Sequence, residues 1–400
     1  IGSPTITGVR NVVPNHSGLT ITGPSHRSDT SAASPRLLWT YDGPLFDIDT
    51  TLGDVIGIHL RGVQARWVGA ANVTNTVNFV RCTGANDLRG MEIRDCDVQM
   101  VNTGGASPNS YVYVLPAGLD ARGIVIRGNN LQGNAVLDNG VYIEARTRTS
   151  AQVPGIWVTE NYISGNDVGP TAGLPGGGSG GIAIISPVGE TNDGIVISEN
   201  EIQGFYRYGI HANDCTNLRI VGNRVRVIGG GGITSMPIRV SDGQYIWIED
   251  NFVYNSAGVD IVWGIYADAD CSDVTIRGNQ VLIPDVGGCV GIYAVQVVQG
   301  LLIEGNTVQG DATVANPGTY GIRFSCLGTG ATHERPGICK GNTIRTIREV
   351  GIYLQSAPAT PLNIPGHIIE GNTLENIVEN GIRLDADAAA ATSTNRRKMT

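Results

Sequence analysis

Residues 274–308 read VTIRGNQVLIPDVGGCVGIYAVQVVQGLLIEGNTV, and two patterns in this stretch repeat along the chain. The first, I-x-I/V-x-x-N-x-I/V, is VTIRGNQV at 274–281 and again LLIEGNTV at 301–308. The second, G-I/V-x followed by a small or apolar residue, is GIYAV at 291–295. Working outward, the first pattern recurs as GIVIRGNNL at 123–131, IWVTENYI at 156–163, IVISENEI at 195–202 and LRIVGNRV at 218–225. It continues as IWIEDNFV at 246–253, ICKGNTI at 338–344 and HIIEGNTL at 367–374. Two degenerate copies, MEIRDCDV at 91–98 and IHLRGVQA at 58–65, put Cys96 and Val63 where the asparagine stands. The second pattern alternates with the first over the last two-thirds of the chain.

Alternation with period two means strands whose side chains point in and out by turns. Self-similarity at a fixed period of roughly 30 residues means a repeat architecture. Each repeat then holds a strand, a tight turn at asparagine, a short second strand, a loop and the G-I strand. Asparagine is expected at the turn because it tolerates left-handed backbone geometry, and stacked copies can bond to one another in a ladder. Leucine-rich and propeller signatures are absent. The fold class is all-β, a parallel β-helix of about 11–12 coils. Residues 51–387 form the helix, 1–50 an irregular set of first coils or a cap, and 388–400 a tail.

Composition agrees: 56 glycines, 16 % charged residues and 6 % aromatics suit a solenoid that grows coil by coil. The net charge of −9, with scattered basic residues, argues against a nucleic-acid partner. No stretch reaches the apolar length of a bilayer span, so no membrane insertion is expected. The chain starts at Ile1 without a signal-like segment, as a processed protein or fragment would. Seven cysteines lack CxxC spacing and are expected as buried thiols, with a Cys326–Cys339 pair conceivable across one loop.

These repeats resemble the pectate-lyase-like superfamily of right-handed β-helices, which includes polysaccharide lyases, hydrolases and phage tailspikes. The resemblance covers residues 50–387 well. It implies a right-handed helix in which the asparagine turn is T2 and the G-I strand is PB1, with saccharide bound along PB1. It further implies an extracellular, secreted or virion-tail protein and a homotrimer. The family's pectin-hydrolase signature (NTD, DD, GHG, RIK) is missing from the G-I strands. A lysine base is missing too, unless Lys340 serves.

The outward residues of the G-I strands are Tyr142, Ala183, His211, Arg239, Tyr266, Tyr293, Arg323, Tyr353 and Arg383. A second outward column holds Glu144, Ile185, Asn213, Ser241, Asp268, Val295, Ser325, Gln355 and Asp385. Tyrosine faces are expected to stack on sugars and arginine to pair with acidic substituents. An exposed sheet also favours tyrosine by propensity alone. Substrate-binding candidates are therefore Tyr142, Glu144, Tyr266, Tyr293, Arg323 and Tyr353.

Catalytic candidates are Asp242, Asp268, Asp214, His211 and Arg239, the densest polar set. Neighbouring coils lie about 4.8 Å apart, so paired carboxylates fit either glycosidase geometry. The bland alternative is that these aspartates cap turns. A lyase would instead draw on His211, Tyr266, Arg239 or Arg323. No cofactor is required, although the aspartates could hold Ca²⁺. The expected function is a polysaccharide-binding and polysaccharide-cleaving protein. A non-catalytic glycan-binding spike or adhesin and a purely structural solenoid remain open. His333, Glu334 and Arg335 form a charged loop tip, and the Gly-rich segments 176–181 and 229–232 read as loops rather than phosphate cradles. Asn15 and Asn72 begin glycosylation sequons.

Overall fold

The computed structural model describes residues 5–6, 10–12, 17–23, 37–40, 43–69, 77–84, 86–102, 109–116, 121–133, 137–144, 155–165, 180–187, 190–227, 234–255, 261–268, 270–284, 287–295, 297, 299–310, 319–324, 337–355 and 367–385. Among these residues every regular element is a β-strand. The chain divides into two compact units, Ile1–Thr216 with Asn223–Ile228, and Asn217–Gly222 with Gly229–Thr400.

In the first unit the G-I strands run in parallel order from Arg10–Val12 and Phe46–Asp49 to Leu137–Glu144, Gly180–Ile185 and Tyr208–Asn213. The strands before the asparagine turn form a second parallel sheet, and those after it a third. Strands at Thr5–Ile6, Arg10–Val12 and Thr20–Thr22 already pair in these three ladders, so coils begin within the first 50 residues. The second unit repeats the plan. Its G-I strands include Trp263–Asp268, Val290–Ala294, Tyr320–Phe324 and Val350–Gln355, again parallel.

Register stacks like on like. Ile124, Ile156 and Ile195 align, as do Val141, Ile182 and Ile210, and in the second unit Ile265, Ile292, Ile322 and Ile352. All of these are fully buried, and each such side chain removed from water contributes about 1.5–3 kcal/mol before the entropy of ordering.

The asparagine turn differs from expectation in one respect. The residue in the left-handed region is the one before the asparagine: Glu160 (φ 57°), Glu199 (55°), Asp250 (55°), and Gly128, Gly278, Gly305, Gly341 and Gly371. Asparagine is selected by its side chain instead. In the first unit Asn129, Asn161, Asn200 and Asn223 join amide to amide, Nδ2 to the next Oδ1, at 2.8–2.9 Å. In the second, Asn251, Asn279, Asn306, Asn342 and Asn372 do the same at 2.9 Å. Within each ladder an Oδ1 also accepts the preceding asparagine's backbone N–H, and an Nδ2 also donates to a carbonyl one coil back, as at Asn279 and Asn306. Where Cys96 replaces asparagine, its backbone N–H still donates to Asn129 Oδ1 (2.9 Å).

Several glycines that open G-I strands have a steric cause. A Cβ on Gly291 would lie 2.7 Å from the Gly321 carbonyl oxygen and 2.3 Å from Val308 Cγ1, and Gly264, Gly321 and Gly351 are equally confined. Gly291→Ala is expected to cost about 2–3 kcal/mol, because backbone of the next coil cannot move aside. Gly305→Ala meets no atom within 4 Å and should cost about 1 kcal/mol, from its left-handed backbone alone. Urea unfolding of the two variants distinguishes them, and equal losses would refute the steric account.

Candidate functional site

Each unit presents the outer face of its own G-I sheet. In the second unit Arg239, Tyr266, Tyr293, Arg323, Tyr353 and Arg383 stand in register on six successive coils. They form one stack: Arg239 lies 5.9 Å from the Tyr266 ring, Tyr266 and Tyr293 are 5.3 Å apart, and Arg323 sits between Tyr293 (4.8 Å) and Tyr353 (5.3 Å). Arg383 covers the other side of Tyr353 at 5.3 Å. One-coil spacing is close to the ring-stacking distance, so neighbours use up one another's faces. A sugar stacking on Tyr266, Tyr293 or Tyr353 would have to replace one of these contacts. The stripe offers guanidinium N–H groups and phenol edges instead, a row of hydrogen-bond donors.

Two positions along, Asp268 is 8 % exposed. Its Oδ2 accepts from Arg239 at 3.1 Å, and the Tyr266 hydroxyl also bonds to it, while Oδ1 is buried with no hydrogen-bond partner. Burial is the largest influence and holds the carboxyl above the usual range, although Arg239 and Tyr266 pull the other way. The Tyr266 phenol is pushed up by burial and by Asp268, which favours its protonated form. Trp263, three residues before Tyr266, packs against Tyr266 (4.7 Å) and Tyr293 (5.0 Å) and closes one side of the cluster. Ser241 aligns with Asp268 on the preceding coil. Asp242 follows it in the left-handed region (φ 52°), as Asp270 does one coil later (φ 57°). Those two aspartates are turn residues, and of the expected catalytic set the structure brings Arg239 and Asp268 into contact.

In the first unit His211 stacks on Tyr208 (4.5 Å, 23° between planes). Asp214 is likewise a turn residue (φ 51°); Asn213 Nδ2 donates to it, and burial raises its carboxyl pKa. Tyr142 donates its hydroxyl to Glu144 (2.5 Å) and stacks on Tyr113 (5.2 Å, 14°). Tyr113 continues in register to Arg81 and Asp47, which form a two-point ion pair (2.8 and 2.6 Å). Sequence reasoning missed Asp47, Arg81 and Tyr113 because their strands lack the leading Gly-Ile; the alternation in YVYVL at 111–115 was the available signal.

Cys82, Cys96, Cys215, Cys271, Cys289 and Cys339 are buried thiols outside any disulfide, and burial pushes Cys82, Cys96, Cys271 and Cys339 up to about 12. Lys340 is on the sheet before the asparagine turn, paired with Glu304 at 3.0 Å, and not on the G-I face. Among the described residues no group of three or more His, Cys, Asp or Glu side chains could hold a metal ion. Cys326, His333, Glu334, Arg335, Asn15, Asn72, both Gly-rich segments and the tail 388–400 lie outside the described residues, apart from Gly180 and Gly181.

The family model described as "Right handed beta helix region" matches residues 190–397. A comparison with curated protein sequences finds no match. Among solved structures, the chain is similar to the periplasmic alginate epimerase AlgG (13 % identity, TM-score 0.40, 95 % of this chain and 85 % of that one). It is also similar to the Dettilon tailspike protein (14 %, 0.34, 87 % and 61 %). A third is the A-module of the Azotobacter vinelandii mannuronan C-5 epimerase AlgE6 (15 %, 0.37, 95 % and 91 %). None of these three likenesses bears on chemistry.

Proposed function

This chain belongs to the right-handed β-helix family, and on that premise we propose that it binds and hydrolyses a polysaccharide along the G-I face of its second unit. The observation that carries the reading is Asp268: a buried carboxyl on an outward column, raised in pKa, with one oxygen unpartnered, set in a row of arginine and tyrosine donors. A carboxyl with raised proton affinity can, when protonated, donate to a leaving glycosidic oxygen, while water bonds to the anomeric carbon and returns a proton to the carboxylate. Arg239 and Arg323 would pair with acidic substituents of the chain. Elimination would instead need a base within reach of the proton next to the substrate's carboxylate.

A panel of acidic and neutral polysaccharides tests this, read by new reducing ends and by the ultraviolet absorbance of unsaturated products. Reducing ends without absorbance are expected. Absorbance growth would overturn hydrolysis in favour of elimination. The chemistry draws on side chains alone and requires no cofactor; equal rates with and without a calcium chelator are expected, and loss on chelation would refute that.

The turn geometry of Asp214 and Asp242 favours a second reading, a spike or adhesin that holds glycan without cutting it. Retention on a glycan column with neither product signal would establish it. The proposal extends to a secreted or virion-borne homotrimer, supported by the resemblance of the repeats to tailspikes. Light scattering at three times the chain mass is the expected result, and a monomer would overturn it.

A further inference from the structure

On the sheet before the asparagine turn, the second unit aligns Trp247, Thr275, Leu302, Ile338 and Ile368 on five successive coils. The residues that follow the first four, Ile248, Ile276, Ile303 and Cys339, are fully buried, so parity turns this column outward. Its first four members are half-buried and Ile368 is 36 % exposed. Strand propensity alone does not select these apolar side chains. The sheet after the turn fills its matching outward column with Gln280, Thr307, Thr343 and Thr373. Two positions along from the apolar column the charges alternate: Glu249, Arg277, Glu304, Lys340 and Glu370. Arg277 pairs with Glu249 at 2.6 Å and Lys340 with Glu304 at 3.0 Å, so the chain itself neutralises most of this edge. Near the opposite end of the same strands stand Tyr245, 47 % exposed, and Asp273.

We propose that this face is the contact between copies of the chain, with the column from Trp247 to Ile368 turned toward the axis of a parallel three-fold assembly. The inference rests on the homotrimer reading above and names the face that builds it. A residue on a rotation axis meets its own copies, and like charges meeting there repel. An uncharged column is therefore required, and the G-I column, with Arg239, Arg323 and Arg383, does not qualify. The threonine column is uncharged, but its hydroxyls gain little by leaving water. The apolar column gains by leaving it. Rotation about the axis keeps each coil level with the same coil of its neighbours. It also sets the charged edge of one sheet beside the opposite edge of the next. Arg277 then faces the partner's Asp273, and Glu249 faces the partner's Tyr245.

Light scattering on the full chain tests the face. Wild type is expected at three chain masses and Leu302→Lys at one, because three ammonium groups would meet at the axis. Thr307→Lys, on the sheet after the turn, should stay at three. Leu302→Cys serves if the lysine variant misfolds. Treated with a short bis-maleimide, it should link chains in pairs, whereas Thr307→Cys and wild type should not. The buried thiols from Cys82 to Cys339 are out of the reagent's reach. A wild-type monomer would overturn both the homotrimer reading and this face. With wild type trimeric, a trimeric Leu302→Lys, or Leu302→Cys chains that link no more than Thr307→Cys, would overturn the face alone. Asp268→Asn should remain trimeric, so the hydrolytic reading stands or fails separately.

Discussion

Replacing Asn306 with alanine is expected to lower unfolding stability by about 3–5 kcal/mol, although one small polar side chain is all that is lost. Asn306 Oδ1 accepts from both the backbone N–H and the Nδ2 of Asn279, and its Nδ2 donates to Ile276 O and Asn342 Oδ1. Truncation leaves two donors and two acceptors short of partners in an interior where Asn279, Asn306 and Asn342 are 0 % exposed. Each unsatisfied buried group costs about 1–3 kcal/mol, less where water can enter. The control is Asn372→Ala, at the last described rung of that ladder. It accepts from Asn342 and donates to Cys339 O, and it is partly exposed, so a loss of about 1 kcal/mol is expected. Urea midpoints for the pair decide the point. Equal losses would mean that the ladder is decoration on a core held by isoleucine alone.

Asp268→Asn should reduce hydrolysis by about 10²–10⁴-fold while leaving retention on the substrate intact. Asparagine keeps an acceptor for Arg239 but has no proton to deliver. In the wild type the rate should fall as pH rises through the elevated pKa of Asp268, because the protonated form acts. The residual rate of the variant should lack that limb. Stability gives an independent check of the same carboxyl. A raised folded-state pKa means that the folded chain binds this proton more tightly than the unfolded chain. Stability from this group is greatest below the unfolded carboxyl range and is lost as pH rises from there through the folded pKa. At neutral pH Asp268→Asn should therefore be at least as stable as the wild type, with a flatter pH profile. A variant that loses activity and unfolds readily would instead mark Asp268 as an anchor for Arg239.

The coils were legible in the sequence because their causes are local and repeated. Alternation fixes which side chains face inward, and a one-residue slip would turn every isoleucine outward. Asparagine recurs because each copy needs its neighbours, so VTIRGNQV and LLIEGNTV announce a ladder by their spacing alone. Glycine before isoleucine was legible as a pattern but not as a cause, since the atom that forbids a Cβ on Gly291 belongs to Gly321.

The outward columns were also legible, from Tyr142 to Arg383, since parity alone puts them outside. What they could do was decided only in three dimensions. Sequence places tyrosine after arginine without showing that at one-coil spacing Tyr266, Tyr293 and Tyr353 lie against arginine or tyrosine on neighbouring coils. Nor does it separate Asp268, bonded to Arg239 and Tyr266, from Asp214 and Asp242, which serve turns. A backbone repeat is set by residues near in sequence. Burial, and with it the proton affinity of a carboxyl, is set by coils about 30 residues apart in the chain.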